Sequence, residues 1–79
     1  MNRERMEKVI QVIRESTETD QEITGDTALY EDLGLASVEV YVLLCDLEEA
    51  FHTSVPAAWL RRVRTVQDLC QVISEASGQ

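Results

Sequence analysis

The stretch Glu31-Asp32-Leu33-Gly34-Leu35-Ala36-Ser37 joins a polar, acidic loop to a largely apolar run from Val38 to Phe51. The apolar run has the length and spacing of a helix, and the glycine-containing loop marks where that helix begins. Ser37 is therefore expected at a helix N-terminus, where backbone N–H groups and the helix dipole favour a phosphate. A serine at this place is also a common N-cap, and the two roles are compatible.

The charge of the chain is strongly acidic and unevenly distributed. The 79 residues have a net charge of -8, and no Lys or Arg occurs between Glu15 and Leu60, a segment that contains eleven acidic residues. An acidic field of this kind repels nucleic acid and anionic membranes and attracts basic protein surfaces. We therefore expect neither a nucleic-acid partner nor a membrane association.

The length predicts one small domain, residues 1–79, with a modest hydrophobic core. A core of this size does not enclose a substrate, which argues against an enzyme and for a module on which other proteins act. The N-terminal segment is charged and lacks the apolar centre of a signal peptide. The longest apolar run, from Val40 to Cys45, is too short to span a bilayer. We expect a monomeric, cytoplasmic protein.

Hydrophobic spacing predicts an all-α bundle of four helices with a long loop after the first. Three of the helices are expected over residues 3–16, 37–52 and 57–62, with Pro56 leading into the short third helix as its first residue. The fourth is expected to begin at the capping-box pattern Thr65-x-x-Asp68. In the second helix, Val40 and Val42 are expected outside the core face. The expected core positions are Met6, Val9, Ile10, Ile13, Ile23, Leu29, Tyr30, Leu33, Leu35, Val38, Tyr41, Leu44, Cys45, Leu47, Phe51, Val66, Leu69, Cys70, Val72 and Ile73.

Four short motifs follow one another along the chain. They are Asp32-Leu33-Gly34-x-x-Ser37-Val38-Glu39, Leu47-Glu48-Glu49-x-Phe51, Val55-Pro56 and Thr65-Val66-Gln67-Asp68. In order and spacing they resemble an acyl carrier protein, a phosphopantetheine-binding carrier, from about Tyr30 to Ile73. The resemblance implies the four-helix acyl-carrier fold, with 4′-phosphopantetheine attached to Ser37.

The resemblance also implies a function that is not catalytic. A phosphopantetheinyl transferase is expected to transfer the arm from coenzyme A to Ser37, and acyl groups are then held as thioesters on its terminal thiol. The expected partners are acyl-transferring and condensing enzymes with basic docking surfaces, and the expected setting is fatty-acid or related acyl or polyketide biosynthesis. The resemblance gives the second helix the docking role, and the docking residues expected there are Glu39, Val40, Val42, Glu48 and Glu49.

The chain departs from the most familiar fatty-acid carriers in three places. Ala36 occupies the position before the serine, where Asp is usual, and Val42 occupies one where an acid is common. Arg61, Arg62 and Arg64 make the third helix basic where it is usually acidic. We expect these arginines to pair with acids of the second helix or to contact a partner. The departures leave open which enzymes the carrier serves.

Two other functions stay open at this point. An aminoacyl or peptidyl carrier of a specialised pathway shares the fold and the serine. An unmodified acidic interaction or calcium-binding module is suggested by the loop from Asp20 to Glu31, which fits the calcium-loop pattern at its first, sixth and twelfth positions. Glu22 and Thr24 break that pattern at the third and fifth positions, so we interpret the fit as chance and expect no metal site.

A hydrolase with Ser37 as nucleophile does not fit the sequence. Such an enzyme needs a base beside the serine. The only histidine, His52, is fifteen residues along the same helix, about 22 Å away. His52 is instead expected at the C-terminal end of that helix, where the dipole favours a positive charge.

Overall fold

The computed structural model describes residues 2–78, which form three α-helices and one short 3₁₀ helix. Helix α1 comprises Asn2–Thr17, α2 comprises Ser37–Phe51, and α3 comprises Val66–Ala76; the 3₁₀ helix, Ala57–Arg62, precedes α3. All three α-helices pack against one another. This is the all-α, four-helix architecture that the sequence predicts. Within the described residues, no helix has both the length and the apolar character needed to cross a membrane.

Aliphatic side chains from all three α-helices form the hydrophobic core, and the connecting segments add to it. In α2 the buried residues are Val40, Leu43, Leu44 and Leu47, which share one face of the helix. Each such side chain contributes about 1.5–3 kcal/mol when it is removed from water. The other buried hydrophobic residues are Val9, Ile13, Ile23, Leu29, Val55, Val63, Val66, Leu69, Cys70, Val72 and Ile73.

The buried face of α2 differs from the predicted one. Val38 and Tyr41, expected in the core, are 67% and 47% exposed, whereas Val40, expected outside it, is fully buried. Cys45, also expected in the core, is exposed. The segment from Val38 to Cys45 is apolar at every position except Glu39. Hydrophobicity therefore does not determine how the helix is rotated, and packing against α1 and α3 decides it.

The long connection between α1 and α2 is fixed to the start of α3 by backbone hydrogen bonds. The N–H of Leu29 donates to the carbonyl of Arg64 at 2.8 Å, and the N–H of Val66 donates to the carbonyl of Thr27 at 3.0 Å. Leu29 is fully buried beneath these bonds, as predicted. Tyr30, expected as a second anchor, is instead 37% exposed.

The start of α3 has the predicted capping box. Thr65 Oγ1 accepts a hydrogen bond from the N–H of Asp68 at 3.2 Å, and Asp68 Oδ2 accepts one from the N–H of Thr65 at 3.2 Å. These reciprocal bonds satisfy two backbone donors that a helix N-terminus otherwise leaves unpaired. The prediction of this helix start is confirmed.

The other helix ends differ from the prediction by a single residue. Helix α2 ends at Phe51 because His52 adopts a left-handed conformation, with φ 54° and ψ 47°. Pro56 is the N-cap of the short helix and not its first residue. The expected bounds of that helix, 57–62, are correct, but it has 3₁₀ geometry.

Candidate functional site

Ser37 is the first residue of α2, and its side chain is exposed. The N-cap is Ala36, whose backbone is extended with φ -85° and ψ 164°. The expectation that Ser37 also caps the helix is therefore wrong, because the serine lies one residue inside it. None of the side-chain hydrogen bonds formed among residues 2–78 uses the Ser37 hydroxyl. The hydroxyl is accessible and uncommitted.

The backbone around this serine favours an anion. The first N–H groups of an α-helix have no acceptor within the helix. The N–H groups of Glu39 and Val40 both donate to the carbonyl of Ala36 at 3.0 Å. The N–H groups of Ser37 and Val38 come before that first bonded turn, at the positive end of the helix dipole. A phosphodiester on the Ser37 oxygen fits this position because its negative charge is stabilised there.

Asp32 and Gly34 shape the turn that leads to the serine. Asp32 Oδ2 accepts a hydrogen bond from the N–H of Ala28 at 2.8 Å, and the N–H of Asp32 donates to the carbonyl of Ala28 at 2.9 Å. Gly34 has a φ of +67°, a conformation that side chains disfavour. The N–H of Leu35 then donates to the carbonyl of Leu29 at 3.1 Å. The Asp-Leu-Gly motif thus has a structural role, since it sets where α2 begins.

The side chain of Glu39 bends back over the first turn of α2. Its Oε1 accepts a hydrogen bond from the N–H of Ala36 at 2.7 Å. This is one half of a capping box, and Ala36 has no side-chain oxygen to supply the other half. A carboxylate here stabilises the positive end of the helix dipole. It also places a negative charge two residues from Ser37.

Three of the five expected docking residues of α2 are accessible. Val42 is 49% exposed, and Glu39 and Glu49 are exposed. Val38 and Tyr41 add to the same outer surface near Ser37. The exposed part of α2 therefore combines an apolar patch, made of Val38, Tyr41 and Val42, with carboxylates.

Of the other two docking assignments, the structure contradicts that of Val40 and shows a structural role for Glu48. Val40 is fully buried, so it offers no surface to a partner. Glu48 is only partly exposed, and its Oε2 accepts a hydrogen bond from the N–H of Val55. The carboxylate of Glu48 fixes the segment that follows α2, which gives it a structural role.

The arginines of the 3₁₀ region have different surroundings. Arg62 forms an ion pair with Glu75 of α3 at 3.1 Å, and its guanidinium lies 4.9 Å from the ring centroid of Trp59. The expected pairing with acids of α2 is therefore wrong for Arg62. The hydrogen bond from Arg62, and a second one from Gln71, hold the pKa of Glu75 below its usual value.

Arg61 and Arg64 lie apart from this ion pair. Both line a groove of about 550 Å³ between the 28–31 turn and the 3₁₀ helix. The Arg62–Glu75 pair is the only salt bridge formed among residues 2–78. The guanidinium groups of Arg61 and Arg64 therefore form no salt bridge with a carboxylate in the described part of the chain.

The two cysteines differ in burial. Cys70 is buried as expected, and that burial raises the pKa of its thiol. Cys45 is exposed, and the expectation of a buried structural thiol is wrong there, because the rotation of α2 turns this position outward.

The loop that resembles a calcium site is organised by its own threonines. Thr27 is buried, and its Oγ1 accepts a hydrogen bond from the N–H of Thr24 at 2.9 Å. Thr24 Oγ1 in turn accepts one from the N–H of Asp26 at 3.3 Å. Across residues 2–78, no three His, Cys, Asp or Glu side chains are grouped to hold a metal ion.

Comparison with known proteins agrees with this geometry. Residues 7–73 match the sequence family described as "Phosphopantetheine attachment site", and Ser37 lies inside that range. The chain is also 36% identical over 78 residues to the acyl carrier protein of Borreliella burgdorferi strain ZS7, with 98% of each chain covered. This chain belongs to the acyl carrier protein family. As a member of that family it is a non-catalytic carrier that bears phosphopantetheine.

Further relatives support the assignment to acyl carrier proteins over most of the chain. The acyl carrier protein of Syntrophobacter fumaroxidans is 32% identical over 69 residues, covering 86% of this chain and 85% of that protein. The solved structure of a candidate acyl carrier protein, Rv0033 from Mycobacterium tuberculosis, superposes with a TM-score of 0.83 at 25% identity. That superposition covers 90% of this chain and 96% of the other.

Membership in the family excludes one of the two functions left open above. An unmodified acidic module is excluded, because the family is defined by phosphopantetheine attachment. Acyl carrier proteins work with a phosphopantetheinyl transferase and with enzymes that act on acyl groups. Sequence reasoning missed the structural role of Glu48 and the exposure of Val38 and Tyr41. No short sequence pattern indicates either feature, because both depend on how α2 is rotated against the rest of the bundle.

Proposed function

We propose that Ser37 is the residue that carries 4′-phosphopantetheine, and that the loaded chain serves fatty-acid or related acyl or polyketide biosynthesis. The observation that carries the first part is the exposed, unbonded hydroxyl at the N-terminus of α2. The arm supplies a terminal thiol on which an acyl group is held as a reactive thioester. The chain supplies the attachment point and the surface that partner enzymes recognise.

The other serines of the described chain are less suited to attachment. Ser16 donates a hydrogen bond to Asp46 Oδ2 at 3.0 Å, and Ser74 accepts one from Arg5 at 3.0 Å. Ser54 and Ser77 follow the C-terminal ends of α2 and α3, where the dipole disfavours a phosphate. Ser37 alone among them combines an accessible hydroxyl with a helix N-terminus.

The docking proposal is confined to the accessible part of α2. Glu39 and Glu49 are placed to face basic groups of a partner, while Val38, Tyr41 and Val42 supply apolar contact beside the serine. Charges at the rim of such an interface mainly raise the rate of association. The alanine at position 36 leaves this surface with less negative charge next to the attachment point.

Intact mass tests the attachment residue. The chain is incubated with coenzyme A and a broad-specificity phosphopantetheinyl transferase, and the mass should rise by a single phosphopantetheinyl group. Ser37→Ala should abolish the increase, whereas Ser54→Ala, which removes another exposed serine hydroxyl, should leave it unchanged. An increase that persists in Ser37→Ala would show that attachment occurs elsewhere.

Loading assays test the pathway. The modified chain is offered to acyl-transferring enzymes of fatty-acid and polyketide synthesis and, in parallel, to adenylating enzymes that load amino acids. Faster loading by the acyl-transferring enzymes supports the proposal. Preferential loading with an amino acid would assign the chain to the aminoacyl and peptidyl carriers instead.

A further inference from the structure

The groove between the 28–31 turn and the 3₁₀ helix is lined by both apolar and charged side chains. Its volume of about 550 Å³ is within the range of sites that hold small ligands. Its apolar lining residues include Tyr30, Leu60 and Val63, of which Val63 is only 2% exposed. Arg61 and Arg64 lie along the same groove.

The charge of this groove is opposite to that of the whole chain. Arg61 and Arg64 bring two guanidinium groups to it, and Glu31 is the only acid among its lining residues. The neighbouring Arg62 does not line it and is paired with Glu75. The two guanidinium groups therefore favour a small anion in this groove, although the net charge of the whole chain is -8.

Backbone hydrogen bonds place the groove close to the attachment residue. Leu29, next to Tyr30 in the chain, donates to the carbonyl of Arg64, and Leu35 donates to the carbonyl of Leu29. Ser37 follows Leu35 by two residues, which span about 7 Å at most. A group tethered to Ser37 therefore reaches the groove at an effective concentration in the millimolar range, so a weak site is sufficient.

We propose that this groove holds the distal carboxylate of a short dicarboxylic acyl group carried on the arm, with Arg61 and Arg64 as its binding residues. The inference rests on the proposed attachment at Ser37. The apolar lining residues accommodate the few methylene groups between the thioester and the carboxylate, and the guanidinium groups bind the carboxylate itself. A saturated acyl group without a carboxylate forms no ion pair with the two arginines, so they do not strengthen its binding.

The test compares two four-carbon cargoes that differ in the terminal carboxylate. A broad-specificity transferase loads the chain from succinyl-coenzyme A or from butyryl-coenzyme A, and intact mass follows spontaneous loss of the acyl group. In a free succinyl thioester the carboxylate attacks its own thioester carbon, so the carbon–sulfur bond breaks, the thiolate leaves and takes a proton from water, and succinic anhydride forms. A carboxylate bound in the groove is withheld from this reaction.

We expect the lifetime of the acyl thioester to depend on the terminal carboxylate of the cargo and on the charged residues of the groove. The Arg61→Gln/Arg64→Gln variant should lose succinate about two- to fivefold faster than the unaltered chain, as for the loss of exposed ion pairs. Loss of butyrate should be unchanged. Glu31→Gln should slow the loss of succinate, because it removes the opposing charge. Arg3→Gln, an exposed arginine of α1 outside the groove, should have no effect.

A second measurement does not depend on loading. Ser37→Ala is titrated with succinyl-N-acetylcysteamine and with butyryl-N-acetylcysteamine at millimolar concentration, and amide resonances are followed by NMR. Shifts at Tyr30, Leu60 and Val63 with the succinyl compound alone, lost in Arg61→Gln/Arg64→Gln, support the proposal. Equal lifetimes in all variants, or resonances that do not distinguish the two compounds, would overturn it. Failure to load any cargo contradicts only the attachment at Ser37.

Discussion

Glu48 and Val55 are joined by a hydrogen bond from the backbone N–H of Val55 to the Glu48 carboxylate, across the end of α2. Val55 is 6% exposed, so its N–H has little access to water as an alternative acceptor. The carboxylate of Glu48 therefore stabilises the fold through this bond, whereas the adjacent Glu49 is exposed at the surface.

The first prediction compares these two adjacent acids. Glu48→Ala should lower the free energy of unfolding by about 1–3 kcal/mol, because a hydrogen bond to a charged group is lost and a buried donor is left unpaired. Glu49→Ala should change it by less than about 0.5 kcal/mol, as is usual for exposed positions. Urea unfolding of the two variants makes the comparison. Equal stabilities would show that Glu48 is a surface residue after all.

The second prediction compares two valines of α2 that lie two residues apart. Val40→Ala should lower the free energy of unfolding by about 2 kcal/mol, because Val40 is fully buried and the substitution leaves a cavity. Val42→Ala should have little effect on stability, since its side chain is 49% exposed. If Val42 lies in the docking surface, its substitution should instead speed dissociation from an acyl-transferring partner. Urea unfolding measures the effect of each variant on stability, and the rate of dissociation from the partner enzyme measures its effect on docking.

The third prediction concerns acid and the Arg62–Glu75 ion pair. The hydrogen bond from Arg62 lowers the pKa of Glu75 below 4.5, so the pair adds stability above that pH and loses it as the pH falls through the lowered pKa. Arg62→Gln should therefore melt at a lower temperature than the unaltered chain at pH 7, and the difference should shrink as the pH falls through the lowered pKa of Glu75. Arg61→Gln, which breaks no ion pair, is the control. A difference that persists unchanged at low pH would mean that Arg62 acts through its packing on Trp59 alone.

Some features of this structure follow from local sequence and others do not. The start of α3 was predictable because Thr65 and Asp68 form reciprocal hydrogen bonds, each from its backbone N–H to the other's side chain, within one turn. The place of Ser37 was predictable because a turn with glycine comes directly before an apolar run. The contact between Arg62 and Glu75 was not, since it joins residues thirteen apart on different helices. Contacts of this kind depend on how the helices pack, which hydrophobic spacing alone does not encode.

The rotation of α2 shows the same limit within a single helix. Seven of the eight residues from Val38 to Cys45 are apolar, so several faces of the helix are hydrophobic enough to be buried. The structure buries the face that includes Val40 and leaves Val38 and Tyr41 at the surface. The apolar surface left exposed beside Ser37 is consistent with the docking role proposed for it.

The last prediction concerns Ala36, which is the N-cap of α2 without a capping side chain. Ala36→Asp should complete the capping box, because its carboxylate can accept a hydrogen bond from the N–H of Glu39. Replacing Ala by a good N-cap residue stabilises a helix by about 0.5–2 kcal/mol. Ala36→Asn should give a similar gain without the charge, and without repulsion from the Glu39 carboxylate that lies over the same turn. Thermal unfolding of the two variants measures this effect.

The same pair of variants tests whether an acid before the serine affects phosphopantetheine transfer, and by which mechanism. If the charge is recognised directly, Ala36→Asp should raise kcat/KM for phosphopantetheine transfer by a transferase specialised for fatty-acid carriers, and Ala36→Asn should not. The gain should be at most several-fold, because an exposed charge pair contributes about 0.2–1 kcal/mol. If the cap acts by ordering the first turn of α2 around Ser37, both variants should raise the rate equally. A rate that falls in both, despite higher stability, would show that the enzyme needs this turn to open and that Ala36 keeps it mobile.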